Sequence, residues 1–127
     1  MKPGYGPHSA AVAAHVKRCR TLVAAEIERL AAQERWSTPL AVALNKSRRA
    51  LHRAGRAEPW DIAWNATWDA ARTKPDLYTR PVGMEKSGSA ASIAADAALA
   101  LAARDLIPPE TFDLLYGPWA AVMGPPR

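Results

Sequence analysis

Cysteine is nearly missing from this sequence. Cys19 is the single thiol in 127 residues, so an intramolecular disulfide is excluded and the fold has to be held by packing. Such sparse cysteine usage fits a reducing, cytoplasmic setting. Long hydrophobic runs are lacking too. The most apolar stretch, Ala90 to Ala103, is mostly alanine and contains Asp96. It is shorter than the ~20 apolar residues that cross a bilayer, so no membrane anchor is expected. The opening residues, Met1-Lys2-Pro3-Gly4-Tyr5-Gly6-Pro7, lack the apolar segment of a signal peptide. Nowhere does a β-branched run alternate with polar residues, so no strand is predicted. No repeat recurs at a fixed period.

What is present suits one helical domain. The length falls within the usual range for a single domain, and a chain of this size can bury a core without metals or disulfides. Apolar residues make up 49%, but much of that is alanine, so the five Trp and the scattered Leu, Val and Ile must supply the bulk. The richness in Ala, Arg, Pro and Trp matches a high-GC bacterial or phage genome. The net charge of +5 is unevenly spread. Residues 1–56 hold 11 Lys/Arg against 3 Asp/Glu, and residues 57–127 hold 6 against 9. A basic half invites a polyanion, or the acidic half of another copy.

Five helices are predicted. Residues 1–8 read as an irregular arm, 9–123 as the domain and 124–127 as a tail. A first helix over Ser9–Arg35, capped by Ser9, carries Val12, Val16, Cys19, Val23, Ile27 and Leu30 as one stripe. Trp36-Ser37-Thr38-Pro39 breaks it and opens a second helix, with Ser37 or Thr38 as cap and proline in the first turn. The second helix runs to Ala54, stops at Gly55 and buries Leu40, Leu44, Ser47 and Leu51. The short connection predicts that these two helices pack as an antiparallel hairpin. A third helix, Glu58 to Arg72, aligns Trp60, Trp64 and Trp68 one turn apart, with Asp61, Asn65, Asp69 and Arg72 on its wet side. Two prolines and two glycines make residues 73–88 a long irregular loop. The fourth helix spans Ser89–Asp105. The fifth spans Pro109–Met123, directs Phe112, Leu115, Trp119 and Val122 inward, and is kinked or ended by Pro118. The fold class is therefore all-α, a compact bundle of four to five helices with a long loop between the third and fourth.

The strongest candidate site is the outer face of the second helix. Lys46, Arg48, Arg49, Arg53 and Arg56 fall within three turns, and each phosphate neutralised by such a face releases condensed counterions. Lys74, Arg80 and Lys86 from the loop would assist. The plainer reading is a solvated helix face. A helix-turn-helix is disfavoured, because the following helix offers Asp61, Asn65 and Asp69 where donors to base edges are needed. Contact with DNA or RNA would then be led by the phosphate backbone. The Trp60, Trp64 and Trp68 ridge is a candidate pocket or base-stacking surface, with Trp68 nearest the wet face. Its plainer reading is core packing.

The remaining constellations are weaker. His15 and Cys19 lie one turn apart but, even with His8, lack the fourth ligand of a structural zinc site, and nothing orients them as a nucleophilic dyad. No metal, cofactor or catalytic set is identified. Gly83-Met84-Glu85-Lys86-Ser87-Gly88 lacks the Walker spacing; Ser87, Gly88 and Ser89 could cap the fourth helix or lend its free N–H groups to an anion. Two functions from different classes remain. One is a nucleic-acid-binding module. The other is a protein-interaction or homo-oligomeric assembly module, in which the alanine-rich fourth helix offers a close-packing surface.

Overall fold

The computed structural model describes residues 5–33, 37–72 and 84–124. Every element among them is helical: α1 (Ser9–Cys19), α2 (Ala24–Ala31), α3 (Thr38–Arg53), α4 (Ala57–Arg72), α5 (Met84–Ala102) and α6 (Pro109–Met123). Of the predicted irregular loop over residues 73–88, residues 73–83, with Lys74 and Arg80, lie outside the described residues, and residues 84–88 are helical.

The core is organised around α5. Ala90, Ala91, Ala94, Ala95, Ala97, Ala98 and Ala100 are all fully buried, as are Ile93 and Leu99. A helix that is apolar on every side belongs inside a protein, and α5 touches each of the other five helices. Alanine makes this arrangement sterically feasible, because short side chains let neighbouring backbones approach from several directions at once. The surrounding helices supply volume: Val12, Val16 and Cys19 from α1, Ile27 and Leu30 from α2, Leu40 and Leu51 from α3, Leu115, Tyr116 and Trp119 from α6. Among the described residues, no helix is long and apolar enough to cross a membrane.

Six helices replace the expected four to five because the first predicted helix is two. The chain turns at Arg20-Thr21-Leu22-Val23. Short i to i−3 backbone bonds close α1, with the amides of Thr21 and Leu22 donating to the carbonyls of Arg18 and Cys19. The Thr21 hydroxyl also donates to the Arg18 carbonyl, at 2.9 Å. The next helix is started by Glu26, whose carboxylate accepts the Val23 amide at 3.0 Å and also pairs with Arg18. The turn rotates the apolar stripe. Leu22 enters the core, and Val23, expected inside, is 54% exposed.

Two further expectations are corrected. Among the described residues, α3 makes no contact with α1 or α2; it packs on α6, α4 and α5. The predicted hairpin does not form: α1 packs on α4 and α5, and α2 packs on α5 and α6. The fourth predicted helix starts earlier than Ser89. Its backbone is helical from Met84, so Ser87, Gly88 and Ser89 lie inside the helix and offer neither a cap nor a free N-terminus for an anion. Smaller shifts occur at two other places. Ser9 is the first helical residue, with His8 as its cap, and α6 continues through Pro118 to Met123. The Pro118 carbonyl accepts from Gln33 Nε2 at 2.6 Å, which ties α6 to the end of α2.

Candidate nucleic-acid interface

The α3 helix is defined at both ends by local chemistry. The Ser37 hydroxyl accepts the Leu40 amide at 3.2 Å, and Pro39 sits in the first turn. At the other end Gly55 adopts φ +72°, where a side chain would be strained. The Gly55 amide donates to the His52 carbonyl and the Arg56 amide to the Leu51 carbonyl, the paired bonds of a Schellman motif. Between these ends the burial pattern is that of one half-buried helix. Leu40, Ala43, Ser47 and Leu51 face the core. Val42, Lys46, Arg49 and Arg53 form the outer stripe, and Arg48 and His52 flank it on the α4 side.

No acidic side chain among the described residues lies within ion-pairing distance of Lys46, Arg48, Arg49 or Arg53. The potential of the four charges therefore adds rather than cancelling locally. Arg56 is different. Both of its terminal nitrogens donate to Asp105, at 2.8 and 2.7 Å, and His8 Nε2 lies 2.8 Å from the same carboxylate. The Arg56 guanidinium, with His8 assisting, holds the Asp105 carboxyl far below the ordinary carboxylate range. Arg56 thus ties the α3–α4 corner to the end of α5, and its charge is already matched. Lys86 lies 3.4 Å from Glu28 and is likewise matched, away from α3.

The ridge tryptophans Trp60, Trp64 and Trp68 are half-buried, neither sealed in the core nor free. Trp60 and Trp68 pack against the core cluster. The Trp60 and Trp64 rings are 5.7 Å apart and tilted by 56°. The Arg48 guanidinium carbon is 5.5 Å from each ring centroid, so one cation bridges two aromatic rings. Beside this triple an open groove of about 350 Å³ runs between α3 and α4, lined by Arg48, Arg49, His52, Arg53, Ala57 and Trp60. Of the ridge, Trp60 lines this groove. The Trp60 indole N–H is covered and finds no acceptor among the described residues.

Sequence spacing aligned Lys46, Arg49 and Arg53 on one side of the helix with Arg48 flanking them, and the structure has them so; Arg56, expected with them, is paired with Asp105 instead. The spacing gave no sign that Arg48 would lie across Trp60 and Trp64, since that contact depends on how α4 docks on α3. A second open groove, about 320 Å³, runs between α3 and α6 and is lined by Thr38, Pro39, Val42, Ala43, Lys46, Thr111 and Leu114. Val42 and Leu114 are 45% and 40% exposed.

His15 and Cys19 meet inside the core. His15 Nε2 donates to the Ala94 carbonyl at 2.8 Å, and Cys19 Sγ lies 3.7 Å from the same nitrogen. The Trp119 ring meets the imidazole edge-on at 4.5 Å. Burial lowers the His15 pKa to about 4 and pushes the Cys19 thiol up to about 12. A neutral imidazole and a protonated thiol in this setting pack α1 against α5 and α6. His8, engaged with Asp105, does not join them. Compared with protein-family models, with curated proteins and with solved structures, the chain matches none of them.

Proposed function

We propose that this chain is a small helical module that binds the phosphate backbone of nucleic acid through α3. The observation that carries this reading is the set of exposed cations Lys46, Arg48, Arg49 and Arg53 along a single helix, with no acidic partner among the described residues. Surface charges on folded proteins are commonly interspersed with the opposite sign; four of one sign on successive turns suit a regularly spaced polyanion. The nearby acids do not weaken this face, because Asp105 is engaged by Arg56 and His8. Asp61 and Asp69 on α4 argue against reading base edges with that helix, so recognition is backbone-led.

The test is fluorescence anisotropy with labelled duplex DNA and single-stranded RNA, titrated across salt. Binding in the micromolar range at low salt, weakened steeply by salt and by the double reversal Arg49→Glu/Arg53→Glu, is the expected result. Absence of binding at low salt would exclude the proposal.

One observation favours assembly as a second reading. The α3–α6 groove exposes Val42 and Leu114 side by side. The alanine-rich helix does not contribute to it, since its small residues are used up inside the protein. Light scattering on the same samples separates the two readings: a defined oligomer without nucleic-acid binding favours assembly.

A further inference from the structure

We infer that the groove between α3 and α4 receives an unpaired nucleobase, which makes the module selective for single-stranded nucleic acid. This rests on the backbone-binding reading above and goes further, because phosphates alone do not distinguish strands from duplexes. Three observations converge on the groove. Its rim carries Arg49 and Arg53, the unmatched cations that would hold phosphates. Its wall carries Arg48, whose guanidinium is held against Trp60 and Trp64. It is an open depression of about 350 Å³, reached from solvent along its length.

The chemistry follows from Arg48. An exposed arginine on an open helix is a flexible chain, and ordering it against a ligand costs side-chain entropy. Here two indole rings hold the guanidinium in place before any ligand arrives, so part of that cost is met in the free protein. A planar cation fixed in a groove wall is a stacking platform for a flat base, and Trp60 beside it adds a second aromatic surface. His52, on the same wall, presents a third flat, polar ring. In a duplex the bases are stacked on one another and cannot enter such a groove. In a single strand they can turn outward while the neighbouring phosphates rest on Arg49 and Arg53.

The experiment compares three labelled probes at one salt concentration: a single-stranded oligonucleotide, the same strand with abasic sugars in place of its bases, and the matching duplex. The intact strand should bind at least about fivefold more tightly than the abasic strand, the lower end of what stacking one base contributes. The variant Arg48→Lys keeps the charge and removes the planar platform. It should lose the preference for the intact strand, read as the ratio of intact-strand to abasic-strand affinity within the variant, which a general weakening of phosphate binding does not change. Trp60→Phe, which keeps a ring against the core, should reduce the preference partially. Equal binding of intact and abasic strands by the parent protein would overturn the base-seating inference while leaving phosphate binding in place. So would an unchanged preference in Arg48→Lys. Binding of polyglutamate as tight as that of the strand would overturn it in favour of an acidic polypeptide. Failure to bind any probe at low salt would remove the backbone reading as well.

Discussion

At the scale of single residues, the buried polar groups carry the clearest energetic consequences. His15 is neutral in the folded protein, with a pKa near 4 against an ordinary value of 6.5. Between those values the unfolded chain binds a proton that the folded one refuses, so stability rises with pH through that window and is lost as pH falls through it. The shift corresponds to about 3 kcal/mol across the interval. Urea denaturation from pH 7.5 down to 4.5 should therefore show a steep loss of stability in the parent protein and a flatter one in His15→Gln; parallel profiles would refute the assignment. Ser47 presents the opposite problem. Its hydroxyl is fully buried with no hydrogen-bond partner among the described residues. Removing an unsatisfied buried group, at a helical site where alanine is also preferred, should stabilise Ser47→Ala by about 1 kcal/mol. A raised urea midpoint with unchanged slope is the expected readout.

At the scale of helices, the sequence revealed more about α3, α4 and α6 than about the rest. Each of these three has a distinct start signal or a one-sided apolar pattern. Ser37-Thr38-Pro39 and Gly55 bound α3, and Pro108-Pro109 sets the start of α6. Their wet faces, such as Asp61, Asn65 and Asp69 on α4, are exposed as periodicity requires. The α1–α2 break was hidden because Val23 continues the three-to-four spacing, and only the Thr21 and Glu26 side-chain bonds to nearby backbone interrupt the helix. The α5 helix had no preferred side to read. Alanine all round predicts burial but not which neighbours will surround it. Its packing tolerates little added volume: Ala97, with no exposed surface, replaced by leucine should lose about 1–3 kcal/mol as neighbouring backbones are forced apart. Retention of the parent's urea midpoint by Ala97→Leu would contradict a closely surrounded α5.

At the scale of the molecule, the basic half of the chain does not become a uniformly basic surface. Arg18 is drawn to Glu26 and Arg56 to Asp105, while Lys46, Arg48, Arg49 and Arg53 stay together on α3, and Lys17, Arg20 and Arg29 elsewhere, without an acidic partner among the described residues. If four cations neutralise phosphates of a single strand, the logarithm of the binding constant should fall with that of salt with a slope of about −3, at ~0.7 per phosphate. The double reversal at Arg49 and Arg53 should reduce the slope by at least half. A slope near zero in the parent would mean that charge on α3 does not drive binding.

The sequence by itself determined the all-helical class, the lack of disulfide support and the alignment of Lys46, Arg49 and Arg53 on one face. These follow from composition and from the 3.6-residue period, which act over a single turn of chain. Tertiary structure alone decided that α5 is the central helix and that α3 packs on α6 and α4. It also decided that Arg48 bridges Trp60 and Trp64, and that Asp105 is matched to Arg56, 49 positions away in the chain. Local periodicity fixes which way a side chain faces on its own helix. What it then meets is set by how the helices pack around the alanines of α5.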